Sequence, residues 1–153
     1  GGKIVHFWNV YGIEKDMDKA HVITDFIKKG FETGDISMLT DGTEQREFLY
    51  AEDCCEALEA VMENYGELSS DDNLHITSFD ATTILDIGHI IQGLFAEIGR
   101  SVSVTPAESK DEVQKDKRNE ADKFITKYWK PKTTIQEGIR NVFNDMKGEF
   151  NNA

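Results

Sequence analysis

The order of apolar and polar residues predicts a layered α/β or α+β domain in which strands alternate with helices. Two observations carry this. Lys3 to Val10 is a largely apolar, β-branched and aromatic run that reads as a buried strand, and it ends at Tyr11-Gly12. Several later segments place apolar residues at helical spacing, with short β-rich stretches between them.

In chain order, the charged loop Glu14-Lys15-Asp16-Met17-Asp18 leads into a helix from about Asp18 to Glu32, with Val22, Ile23, Phe26 and Ile27 on one face. Ile36 to Thr40 and Arg46 to Tyr50 read as two strands of a hairpin about Asp41-Gly42, because glycine supplies a positive φ at low cost. Asp53 is expected to open a helix to about Tyr65, burying Cys54, Leu58, Val61, Met62 and Tyr65. Glu67 to Asp72 forms an acidic loop, and Leu74 to Thr77 a short strand. Thr83 caps a helix to about Gly99, with Asp86 three residues on and Ile84, Ile87, Ile91, Leu94, Phe95 and Ile98 inward. Val102 to Thr105 is a strand, and Glu108 to Ala121 a polar loop. Thr134-Ile135-Gln136-Glu137 is a capping box for a last helix that buries Ile135, Ile139, Val142, Phe143 and Met146.

The 153 residues make one domain's worth of chain, and no Pro- or Gly/Ser-rich linker divides them, so a single domain over 1–153 is expected. The formal net charge of −12 argues against nucleic acid as a partner, because backbone phosphates would meet a repelling field. No run approaches the roughly 20 apolar residues of a membrane helix, and no charged-then-apolar leader is present, so a cytoplasmic location is expected. Cys54 and Cys55 are adjacent and without other cysteines, which fits two packed, reduced thiols. Neither they nor the four histidines show metal-ligand spacing, and no metal is expected. Phe7 and Trp8 read as core, and Lys115-Asp116-Lys117-Arg118 as a solvated loop.

Two segments could carry chemistry. Arg46 follows a tight turn on a strand, where a guanidinium is suited to bidentate capture of phosphate oxygens; the same arginine on a surface would pair with Glu44 or Glu47. Asn9-Val10-Tyr11-Gly12 closes the first strand, and ligands of open α/β sheets sit outside the carboxyl ends of strands. Asn9 equally suits a turn that bonds its own backbone.

Taken in order, these segments resemble the extended short-chain dehydrogenase/reductase family, the NAD-dependent sugar-nucleotide epimerases and dehydratases. His6-Phe7-Trp8-Asn9-Val10-Tyr11-Gly12-Ile13 is similar to the family's Arg-x-x-Asn-x-Tyr-Gly-Pro. The stretch Thr40 to Asp53 is similar to Gly-Asp-Gly-x-x-x-Arg-Asp-Phe-x-Tyr-Val-x-Asp. Asn73-Leu74-His75-Ile76, Trp129-Lys130-Pro131 and Glu137-Gly138 extend the likeness over nearly the whole chain. It implies the C-terminal part of a Rossmann-type α/β fold, with terminal sheet strands and a small α/β substrate lobe, lacking the N-terminal dinucleotide-binding half.

Carried over by position, the resemblance implies that Asn9 and Arg46 contact the diphosphate of a nucleotide sugar. It places His21, Val22 and Ile23 along the nucleotide and sugar, and Ser37 and Leu39 at the base. The sequence departs from the pattern at His6, Ile13 and Glu47. Ser109-Lys110-Asp111-Glu112 and Asn119 stand where the family has Arg-x-Gly-Asp and a later aspartate, which leaves Lys110 to replace the second phosphate arginine.

The family's glycine-rich NAD turn does not occur in this sequence. Tyr11 to Lys15 and Tyr128 to Lys132 match its Tyr-x-x-x-Lys pair only as text, since Gly12 stands at a strand end and Pro131 breaks a helix. The expectation is therefore the nucleotide-sugar-binding portion of an isomerase or lyase of polysaccharide biosynthesis. NAD would belong to the complete enzyme, and none is expected on this chain alone. Exposed sheet edges and an uncovered apolar face would call for the missing half or a homo-oligomer. The rival reading is a free-standing, non-catalytic interaction or ligand-sensing module derived from such an enzyme.

Overall fold

The computed structural model describes residues 1–114 and 120–152. The opening apolar run is not one strand. It forms β1 (Val5–Phe7), breaks at Trp8-Asn9, and resumes as β2 (Val10–Tyr11). Asn9 adopts φ 33°, a left-handed conformation that asparagine tolerates better than most residues, and this turns the second half of the run toward a different partner. A 3₁₀ turn at Met17–Lys19 precedes α1 (Val22–Thr33), which begins four residues after the expected start near Asp18. Then come β3 (Asp35–Ser37), β4 (Gln45–Glu47), β5 (Leu49–Tyr50) and α2 (Ala51–Glu63). The chain continues through β6 (Leu74–Ile76), β7 (Ala81–Thr83), α3 (Ile84–Glu97) and β8 (Ser103–Thr105). A 3₁₀ turn at Phe124–Lys127 leads to α4 (Ile135–Asn151). The α/β prediction holds. The sequence reading missed β7 and this second 3₁₀ turn.

Strand pairing corrects the expected hairpin. Among the described residues the strands form two-stranded sheets: β1 with β6, β2 with β5 and β3 with β8 are parallel, and β4 with β7 is antiparallel. The turn at Asp41-Gly42 is real, with Gly42 at φ 76°, but it redirects the chain rather than folding it back. Gly42 lies under α3, where its carbonyl accepts from the Leu85 N–H at 3.0 Å, and β4 is thereby delivered to β7.

Two apolar clusters result. The larger packs α1, α3 and α4 around Ile27, Ile36, Ile87, Ile91, Phe95 and Ile139. Phe31 stacks on Phe150 at 4.7 Å between ring centroids and meets Phe95 edge-on at the same distance. The smaller cluster gathers β1, β6 and α2 about Leu49, Leu74, Ile76, Ile125 and Trp129. Both predicted caps form: Thr83 Oγ1 accepts from the Asp86 N–H at 3.0 Å, and Thr134 Oγ1 accepts from the Glu137 N–H at 3.2 Å while donating to Glu137 Oε1 at 3.1 Å. All five residues expected to be buried on α4 are buried.

The buried face of α2 differs from its prediction. Asp53, Ala57, Ala60 and Val61 point inward, whereas Leu58 and Tyr65 are exposed and Met62 is 74% exposed. The reason is polar. Asp53, only 2% exposed, accepts backbone N–H bonds from Lys132 at 3.2 Å and Thr133 at 2.9 Å, one on each carboxylate oxygen. Those bonds fix the rotation of α2 about its axis and tie the approach to α4. At the end of α3, Ile98 is likewise exposed. Cys54 is half-buried and Cys55 exposed, so only one thiol is even partly packed. Phe7, expected in the core, is 48% exposed, as are much of Ile4, Val10 and Ile13 on the same edge of the molecule. The Lys115 to Arg118 cluster and Asn119 lie outside the described residues.

Two substitutions test this packing. A methyl added at Gly30 of α1 would sit 2.2 Å from Phe95 Cε2, so Gly30→Ala should lower stability by about 1–3 kcal/mol in urea denaturation. Asp53→Ala should cost about 2–3 kcal/mol, because it removes a carboxylate that satisfies two backbone donors.

Candidate functional site

Where α1 begins, the break between β1 and β2, the end of β3 and strand β4 converge on a cleft of about 410 Å³. Asn9 is brought there by its left-handed backbone, and its carbonyl accepts from the Leu49 N–H at 3.1 Å, which locks the break against β5. His21 is the N-cap residue of α1; its side chain makes no capping bond and lines the cleft beside Val22. Leu39 follows β3 and is 88% exposed at the rim. Arg46 projects from β4, and Phe26, Met38, Phe48 and Ile84 supply apolar wall.

Of the residues singled out from the sequence, the fold thus gathers Asn9, His21, Val22, Leu39 and Arg46 around one space. Ile23 is fully buried and lines a smaller adjoining cavity of about 220 Å³, which His21 also borders. Ser37 is not in the wall. Its carbonyl accepts from Lys29 Nζ at 2.9 Å, so its part is to tie β3 to α1. Lys110 lies on the exposed surface near Asp41. Thr43, more than Lys110, holds the Asp41 carboxyl below its ordinary range.

Among the charged side chains in or at the cleft, Asp25 and Lys29 were not singled out from the sequence, Glu44 was read only as a surface partner of Arg46, and Asp111 only within a segment that departs from the family pattern. Lys29 forms an ion pair with Asp25 at 2.9 Å, one turn apart on α1. Glu44 Oε1 accepts from Thr40 Oγ1 at 2.6 Å. Its second carboxylate oxygen is buried with no hydrogen-bond partner among the described residues. Arg46 forms a salt bridge through Nη2 with Asp111, 65 residues away, and donates from Nη1 to the Gln45 carbonyl at 3.0 Å. The α1 pair had a signal in its i,i+4 spacing. Asp111 had none, because its position is set by sheet pairing: the β3–β8 alignment continues through Ala107 N–H to Thr40 O at 2.9 Å and Asp41 N–H to Ser109 O at 2.7 Å. Two residues further on, the chain meets Arg46. The Val113 N–H first, then the Gln114 N–H and the Arg46 guanidinium, hold the Asp111 carboxyl below the ordinary aspartate range.

The arrangement suits an anion better than a proton transfer. The first turn of α1 presents backbone N–H groups and the positive end of the helix dipole at the cleft, with a guanidinium across from it. Tyr11, by contrast, is buried, and a methyl placed on Gly138 would lie 1.8 Å from its hydroxyl. Burial, then the nearby Tyr50, Asp53 and Glu137, push its ionisation above the ordinary tyrosine range. Those surroundings disfavour a phenolate.

A model of the NAD dependent epimerase/dehydratase family matches residues 2–76. GDP-L-fucose synthase of Sinorhizobium fredii is 29% identical over 145 residues, covering 90% of this chain and 44% of that protein. UDP-glucuronic acid decarboxylase 1 of Arabidopsis thaliana is 22% identical, covering 98% of this chain and 33% of that protein. The fold matches UDP-glucuronic acid 4-epimerase from Bacillus cereus, solved with UDP-glucuronic acid and NAD, with a TM-score of 0.73 and 21% identity. That match covers 96% of this chain and 45% of the other. The chain therefore spans less than half the length of the relatives it matches. Its residues 2–76 match the NAD dependent epimerase/dehydratase family, and the chain carries part of the Rossmann-type α/β fold of such enzymes.

Proposed function

We propose that this chain is the nucleotide-sugar-binding portion of an NAD-dependent epimerase or dehydratase and is not catalytically complete by itself. The observation that carries the reading is the convergence of Asn9, Arg46 and the first turn of α1 on one cleft. A diphosphate linkage placed there meets Asn9, helix-end N–H groups and the Arg46 guanidinium, which it would take over from Asp111; such donors suit phosphate oxygens. Phe26, Met38, Phe48 and Ile84 offer the attached nucleoside an apolar wall, and His21 and Val22 border it. The volume is in the range of small-molecule sites, which run from about 300 to 1,000 Å³.

NAD in a complete enzyme of this kind would take hydride from the sugar and later return it. This sequence has no glycine-rich turn for its pyrophosphate, and Tyr11 is enclosed against α4. The chain's own part is to hold and orient the sugar nucleotide. Ile4, Phe7, Val10 and Ile13 expose apolar surface beside β1 and β2, and Leu58, Met62 and Tyr65 do so along α2. Such surface fits a partner, either the nucleotide-binding half of the enzyme or a second copy of the chain.

A melting series tests the site. UDP- or GDP-sugars should raise the melting temperature, and Arg46→Ala should remove the shift and weaken binding roughly tenfold or more. An equal response from the variant would place the ligand elsewhere.

A further inference from the structure

We infer that Asp111 acts through Arg46 as a built-in competitor for the anionic ligand, setting how tightly the cleft takes a diphosphate. This rests on the nucleotide-sugar reading and concerns the same site. The segment in which the resemblance implies a second phosphate cation, with Lys110 left to supply it, also carries Asp111, and that carboxylate is already on the guanidinium the ligand needs.

Several contacts make Asp111 a fixed group rather than a passing neighbour. Its Oδ1 accepts from the Val113 N–H and from the Gln114 N–H at 3.2 Å, closing a tight turn. Gln114 then reads the edge of β4 like a further strand, accepting from the Gln45 N–H at 2.5 Å and donating to the Gln45 carbonyl at 2.8 Å. The turn and the arginine are thus fastened to adjacent residues of one strand. Asp111 Oδ2 is left to face Arg46.

The charge around the cleft leads to the same conclusion. Lys29 is engaged by Asp25 and by the Ser37 carbonyl, both at 2.9 Å. Asp25 and Glu44 balance Lys29 and Arg46 among the lining residues, and Asp111 tips the site toward negative. A diphosphate therefore gains little by adding to this cleft as it stands. It gains by exchange, taking the guanidinium from Asp111, so one charge-assisted bond replaces another and the net affinity falls below what Arg46 would give alone.

Asp111→Asn tests this, because an amide oxygen can still accept from Val113 and Gln114 while the negative charge is gone; Asp111→Ser is the second variant, and melting curves check that each folds. Titration calorimetry with UDP-glucose and GDP-mannose, and with uridine and guanosine as phosphate-free controls, is run on the parent, both variants, Arg46→Ala and the Arg46→Ala/Asp111→Asn pair. The expected result is sugar-nucleotide binding roughly 3- to 10-fold tighter in the Asp111 variants, no change for the nucleosides, and no gain in the double variant. Unchanged or weaker sugar-nucleotide binding in the Asp111 variants, or a gain that survives without Arg46, overturns the competitor while leaving the nucleotide-sugar site in place. Failure of the parent and both Asp111 variants to bind either sugar nucleotide overturns both.

Discussion

Parallel strand pairing is the constraint on which this molecule turns. Two parallel strands cannot be joined by a tight turn; the chain must cross over, usually through a helix, before it can return in the same direction. Val5 pairs with Leu74, Val10 with Leu49 and Asp35 with Ser103. Each pair therefore brings together segments that begin far apart, and each crossover deposits a helix against the strands. The cleft exists because three such crossovers leave the start of α1, the break after β1 and the end of β3 around one space.

The same constraint gives the cleft its electrostatic character. Extension of the β3–β8 alignment past Thr105 carries the chain alongside Thr40 and Asp41 and sets Asp111 on Arg46. The guanidinium is held ready in one orientation, which lowers the entropy lost when it grips a ligand, and it is also neutralised. Preorganisation and competition come from one contact. Asp53 plays a comparable part in the first turn of α2, where a buried carboxylate satisfies two backbone donors and decides which face of α2 turns inward.

Where local rules governed, the sequence was readable. Thr83 and Thr134 cap α3 and α4 as their spacing indicates, and α4 buries the five residues of its apolar stripe. These outcomes depend on residues three or four positions apart, within reach of one helical turn. The reading failed where a distant polar group outweighed local pattern. Leu58 and Met62 look like core by spacing, yet Asp53 rotates α2 so that Ala57 and Ala60 pack instead. Asp41-Gly42 has the residues of a hairpin turn, yet the strands before and after it find β8 and β7.

By itself, the sequence determined the α/β alternation, the helix caps and the motif order through Asn9 and Arg46 that relates the chain to the epimerases and dehydratases. These are matters of residue type and short spacing, which folding does not rearrange. Only the tertiary structure decided that Asn9 and Arg46 border the same cleft, that Ser37 serves through its backbone and that Asp111 is the partner of Arg46. Such facts arise from the register between strands whose sequences are dozens of residues apart, and a hydrogen-bonded backbone register leaves no mark in the identity of the side chains it brings together.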